Sequence, residues 1–164
     1  MLASSASTLD NEQWQSFAVP NQCNQAGIDL IKKFEGFIPH VYLCAGGYPT
    51  IGYGHLLKEG ESFEHDITEE QAEALLRDDI AVAERAVRNL IAVPLNSNQF
   101  SALVSFTFNL GSGALQASTL RKRVNAKHYD DVPYQLQRWC YAGGVKLNGL
   151  IKRREAEAAL WCKA

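Results

Sequence analysis

The sequence predicts an α+β protein: a small lobe bearing a β-hairpin, a larger helical lobe, a long helix joining the two, and a cleft between them. Three observations carry that expectation. Helical periodicity and capping signals recur from Asn24 to Cys162. The pattern breaks between His40 and His55, where β-branched and aromatic residues flank a glycine-rich turn. Finally, Phe100, Leu103, Val104, Phe106, Phe108 and Leu110 leave their segment no polar face, as befits the centre of a helical bundle.

Residues 1–23 read as an N-terminal arm and residues 24–164 as the folded domain. The opening MLASSASTLDNEQWQ has neither a basic leader nor a continuous apolar run, so it does not read as a signal peptide. Its small and polar residues suit a loosely held extension, with Trp14, Phe17 and Val19 able to dock it. A first helix spans about Asn24 to Glu35, with Ile28, Ile31 and Glu35 at i, i+3 and i+7. Gly36 stops it and Pro39 follows, which leaves Glu35 at the helix end beside the apolar face.

Next, Val41–Leu43 suits a strand, Ala45–Pro49 a turn and Thr50–Tyr53 a returning strand. This hairpin brings Cys44 close to Thr50 and is expected to form the protein's single sheet. Thr68-Glu-Glu-Gln71 is a capping box. It opens a long helix whose expected stripe is Ala72, Leu75, Leu76, Asp79, Ala83, Val87, Leu90 and Ile91. Pro94 ends that segment, Asn96 and Ser97 start the apolar helix, and Gly111 and Gly113 close it. Shorter helices are expected near Leu115–Ala126 and Asp130–Trp139, then an irregular Ala142–Gly144 and a last helix over about Leu150–Cys162. There is no internal repeat.

The 164 residues are 46% hydrophobic and 21% charged, which fits one globular domain with a sizeable core. A formal charge of −2 gives no polycation footprint, so nucleic acid is not an expected partner. No apolar run is long enough to span a membrane. The four cysteines, Cys23, Cys44, Cys140 and Cys162, show no metal-ligand spacing, and neither a metal nor another cofactor is expected. A monomer is the default for a cleft protein without a coiled coil.

Two residues invite chemistry. Partial burial would keep a proton on Glu35, making it a candidate general acid, although a helix-end glutamate paired to an arginine is the commoner case. On residue type Cys44 reads first as an inert core thiol or half a disulfide, with a nucleophile partnered by His55 as the minority reading. The glycines around Tyr53 do not form a dinucleotide fingerprint.

Glu35, eight residues, Cys44, five residues and Thr50 together reproduce the E-x8-[D/C]-x5-T signature of bacteriophage lysozymes. FEGF, YPTIGYGHLL, ITEEQAEALLRDDI, VPLNSNQFSALVSFTFNLG, STLR, RWCYAGG and GLIKRREAEAALW resemble that family's segments in the same order. Over roughly residues 24–162 the chain resembles these endolysins of glycoside hydrolase family 24. The resemblance implies a lysozyme-like fold and hydrolysis of the β-1,4 bond between N-acetylmuramic acid and N-acetylglucosamine in peptidoglycan. It casts Glu35 as general acid, with Cys44 and Thr50 holding the attacking water. It also implies that Arg153 pairs with Glu35, and that His55 and Asp79 form a structural ion pair. Gly54, Leu56, Phe108, Asn109 and Thr119 are its nominees for saccharide contacts.

Family resemblance further implies accumulation in the host cytoplasm and release through a holin-type lesion to reach the periplasmic wall. Relatives with the catalytic cysteine can instead use a signal-anchor-release helix and a caging disulfide; here that route requires a truncated or processed chain. Cys23 is the candidate partner for caging Cys44, and Cys140 with Cys162 is a second candidate pair. The rival functions are a lytic transglycosylase, a catalytically dead wall-binding protein, and a wall amidase or peptidase acting through Cys44 and His55.

Overall fold

The computed structural model describes residues 20–163. The expected arm therefore lies, for residues 1–19 with Trp14, Phe17 and Val19, outside the described residues.

Helix α1 (Gln25–Glu35) starts where the Asn24 side chain accepts from the Gly27 amide at 2.9 Å. Ile28 and Ile31 are buried. The helix stops at Gly36, whose φ of 74° lets the chain turn without a Cβ penalty. Strands β1 (Ile38–Leu43), β2 (Pro49–Gly52) and β3 (His55–Leu56) follow in an antiparallel sheet of that order. Tyr42 pairs with Thr50, Thr50 with Leu56, and Ile51 with His55. A register shift between Ile38 and Tyr42 bends the first strand.

Helix α2 (Glu69–Leu90) has both arms of the expected capping box. Its buried stripe is Ala72, Leu76, Ile80, Ala83, Glu84 and Val87, with Ile91 buried just beyond its end. Leu75 and Leu90 are only partly buried and Asp79 lies on the flank, so the expected stripe was rotated by part of a turn. Helix α3 (Ser97–Leu110) carries a second capping box, Asn96 with Gln99. Every residue from Phe100 to Thr107 is buried, which makes α3 the central rod of the helical lobe.

Helices α4 (Ser112–Ala117) and α5 (Thr119–Asn125) replace the single helix expected there. Ser118 is extended and its hydroxyl accepts from the Arg121 amide, so it caps α5 and breaks the run. Gly113 lies inside α4 rather than closing α3. A 3-10 turn (Tyr129–Asp131) leads into α6 (Val132–Gln137). A second sheet then appears where irregular chain was expected: β4 (Tyr141–Ala142) and β5 (Val145–Lys146). Gly143 and Gly144, at φ of 57° and 77°, form its tight turn. Helix α7 (Asn148–Trp161) closes the lobe against α3 and α6.

All four cysteines are free thiols. Neither expected disulfide, Cys23–Cys44 or Cys140–Cys162, is formed. Cys23 is buried ahead of α1, beside Ser101, whereas Cys44 stands on the β1–β2 turn of the lobe that follows the other end of that helix. Helix α1 is about 16 Å long. A disulfide needs α-carbons about 4–7 Å apart, so caging requires this region to rearrange. Cys140 is buried near the start of α7, and Cys162 is exposed at its far end.

Candidate active site

Glu35 ends α1 half-buried, and its carboxylate faces the last helix. Oε1 accepts from Nη1 of Arg153 at 2.8 Å. Arg153 is 4% exposed, and its guanidinium also lies 5.7 Å from the Phe34 ring. The backbone of Gly54 comes close to the other carboxylate oxygen: a Cβ there would stand 3.5 Å from Oε2. Its φ of +79° also favours glycine. One oxygen of Glu35 is thus engaged by a cation and the other is left beside a bare stretch of β-lobe backbone.

Cys44 and Thr50 face one another across the β1–β2 turn. The Cys44 amide donates to the Tyr48 carbonyl at 3.0 Å, and Gly47 donates to the Cys44 carbonyl at 2.8 Å. Thr50 is 2% exposed and donates its hydroxyl proton to the Tyr48 carbonyl at 2.9 Å. Backbone hydrogen bonding, first from Tyr48 and then from Gly46, holds the Cys44 thiol below its ordinary pKa.

His55 is buried on β3. Its Nδ1 contacts Asp79 Oδ2 at 2.8 Å, and its Nε2 contacts Glu61 Oε2 at 3.0 Å. Burial alone would lower its pKa; hydrogen bonds to Glu61 and Asp79 outweigh that and raise it. Glu61 is lowered in turn, first by the Lys58 amide and then by His55. Asp79 was expected from the sequence, whereas Glu61 was not. It reaches His55 from an irregular loop, where no periodicity ties it to a partner.

On the helical side, Asn109 accepts from Nη2 of Arg154 through Oδ1. Phe108 packs against the core. Leu56 is 52% exposed on β3, opposite Thr50. Thr119 begins α5 and borders a cavity of about 330 Å³ with Ala117, Ser118, Arg138 and Trp139. The structure therefore groups Glu35 with Gly54 and Arg153, Cys44 with Thr50, and Asn109 with Arg154. None of these residues lines the cavity that Thr119 borders.

The buried trio Arg153, Arg154 and Glu157 was largely missed, since only Arg153 was singled out. All three sit on α7, together with Ala158, Leu160 and Trp161, on the buried side. Charged residues at apolar-looking positions erase the hydrophobic stripe that would have marked them as interior.

A family model described as "Phage lysozyme" matches residues 32–157. The chain belongs to the phage lysozyme family. That match runs from within α1 to Glu157, so it spans every site residue just described. An endolysin of Bacillus phage B103 is 43% identical over 140 residues, 84% of this chain and 53% of that protein. This lysozyme-family chain thus spans about half the length of that relative. An endolysin of Acyrthosiphon pisum secondary endosymbiont phage 1 is 42% identical over 144 residues, 84% of this chain and 96% of the relative. Among solved structures, an endolysin from Escherichia coli O157:H7 phage FAHEc1 superposes with a TM-score of 0.77 at 39% identity. That superposition covers 86% of this chain and 93% of the other. The lysozyme-like α+β fold expected from the sequence is the fold observed.

Proposed function

We propose that the chain is an endolysin-type muramidase that hydrolyses the β-1,4 bond between N-acetylmuramic acid and N-acetylglucosamine in peptidoglycan, lysing bacterial cells. The observation that carries this reading is the Glu35 carboxyl: Arg153 fixes one oxygen and leaves the other beside Gly54 to deliver a proton. Family membership supports it.

In this mechanism Glu35 protonates the glycosidic oxygen as the bond to the anomeric carbon breaks. Water attacks that carbon from the opposite face. Thr50 has a single hydroxyl proton and commits it to the Tyr48 carbonyl, so its lone pairs are free to accept from the water. Cys44, beside Thr50, helps to position that water, whose proton passes to solvent as the new bond forms. Glu35 ends as carboxylate and regains its proton from solvent. Gly54, Leu56, Phe108, Asn109 and Thr119 are assigned to the saccharide, with Asn109 best equipped to hydrogen-bond an N-acetyl group.

His55 argues against an amidase or peptidase built on Cys44. Both of its ring nitrogens are engaged, by Asp79 and Glu61, and it is 2% exposed. No nitrogen is left to activate a thiol. A lytic transglycosylase remains the second reading, because it breaks the same bond without water. For the cellular route we propose a monomer that accumulates in the host cytoplasm and reaches the periplasmic wall through a holin-type lesion. Among the described residues no helix is long and apolar enough to cross a membrane.

Digestion of purified peptidoglycan decides between these activities. The account expects new reducing sugar ends, no new amino groups, and an inert Glu35→Gln control. Anhydro-sugar ends would identify a transglycosylase, amino groups an amidase or peptidase, and the absence of any product a wall-binding protein.

A further inference from the structure

Behind Glu35 lies a chain of buried charges. Glu157 has 0% exposure. Its Oε1 accepts from the Ser105 hydroxyl at 2.7 Å and stands 3.5 Å from Nε of Arg153. Its Oε2 stands 3.2 Å from Nη1 of Arg154, itself 0% exposed. Arg153 reaches on to Glu35, and Arg154 reaches on to Asn109. One carboxylate therefore touches both guanidinium groups that hold the polar side chains assigned to acid catalysis and to saccharide binding.

Helix geometry explains the arrangement. Glu157 is i+4 from Arg153 and i+3 from Arg154, so both cations fall on its side of α7. Ser105 and Asn109 are likewise one turn apart on α3. Two adjacent buried guanidinium groups repel each other, and each lacks water to screen its charge. Nε and Nη2 of Arg153 have no hydrogen-bond partner among the described residues. Its direction is thus set by Glu35 at one end and the charge of Glu157 behind it, rather than by a saturated web of hydrogen bonds.

We propose that Glu157 is a positioning residue for the cleft, aiming Glu35 through Arg153 and Asn109 through Arg154, with Ser105 fixing its own orientation. This rests on reading Glu35 as the general acid and Asn109 as a saccharide contact. A purely structural ion cluster would stabilise α7 without a selective effect on either kinetic constant.

Ser105→Ala is the mild probe, since it removes one hydrogen bond to Glu157 and leaves every charge in place. Glu157→Gln is the strong one. Steady-state kinetics on soluble peptidoglycan strands, with thermal melts alongside, read the result. For Ser105→Ala the expected outcome is a roughly 10-fold fall in kcat and a rise of about 3-fold in KM. The kcat loss should vanish in an Arg153→Met background and the KM rise in an Asn109→Ala background, because each arm is already cut. Losses that multiply in both backgrounds, or wild-type constants for Ser105→Ala, overturn the proposal. If Glu157→Gln folds, it should show the same pattern more strongly; if it does not fold, the Ser105 series decides alone. Glu35→Gln separates the two levels of the argument. An active Glu35→Gln overturns the general-acid reading itself, whereas an inert one beside an unaffected Ser105→Ala overturns only the positioning role.

Discussion

Arg153 donates to Glu35 at 2.8 Å across 118 residues of chain, joining the last helix to the end of the first. The two lobes meet at this contact, since α1 leads into the β-sheet and α7 closes the helical lobe. The same contact fixes the carboxyl that the proposed chemistry needs. It links a long-range element of the fold to a single reacting atom.

Removing that arginine tests its double role. Arg153→Met keeps most of the side-chain volume and leaves Glu157 and Arg154 as a balanced pair. Losing a hydrogen bond to a charged, part-buried group should cost about 1.5–3 kcal/mol in denaturant unfolding. Turnover should fall by roughly 10- to 100-fold, because Glu35 loses its aim.

Thr50 is buried and nearly isosteric with valine. Thr50→Val should cost about 1 kcal/mol for the lost bond to the Tyr48 carbonyl. Its activity should nevertheless fall by about 100-fold or more, because no lone pair remains to hold the water. Thr50→Ser should restore most of the turnover. Equal activity in the valine and serine variants would remove Thr50 from the mechanism.

The thiols should separate by reactivity. Cys44 is lowered by the Tyr48 backbone and its neighbours, whereas burial pushes Cys23 up to about 11. Timed alkylation with iodoacetamide near neutral pH, followed by peptide mass mapping, should label Cys44 early and Cys23 last. Comparable rates at the two sites would contradict the microenvironments described for them.

His55 and Glu61 make stability depend on pH in opposite senses. The raised pKa of His55 adds stability that is fully present below its unfolded value of 6.5 and is lost as pH rises through the folded value. The lowered pKa of Glu61 adds stability that is present above its unfolded value of 4.5 and is lost as pH falls through the folded value. These two groups together therefore favour a maximum between pH 4.5 and pH 6.5. Melting temperatures should decline as the pH rises above 6.5 in the natural protein. In His55→Asn the alkaline decline should be shallower.

Much of this was legible in the sequence, for identifiable reasons. Thr68 and Gln71 mark a helix start because a capping box needs only four consecutive residues. The pattern Glu35, Cys44, Thr50 is local to one helix end and one hairpin, so a linear spacing preserves it. The split at Ser118 was not legible, because a serine that caps a helix also passes as a helical residue. The β4–β5 hairpin was missed because its two-residue strands are too short to alternate. Glu61, Arg154 and Glu157 were missed because long-range charge pairing leaves no period in a sequence.

The most direct test of the account is the anomeric configuration of the first product, followed by proton NMR during cleavage of a soluble peptidoglycan fragment. Water attack opposite the leaving group predicts that the α-anomer appears first from the β-linked strand and only later mutarotates. A β-anomer appearing first would mean a covalent intermediate, with Cys44 as nucleophile rather than as the partner of a water held by Thr50.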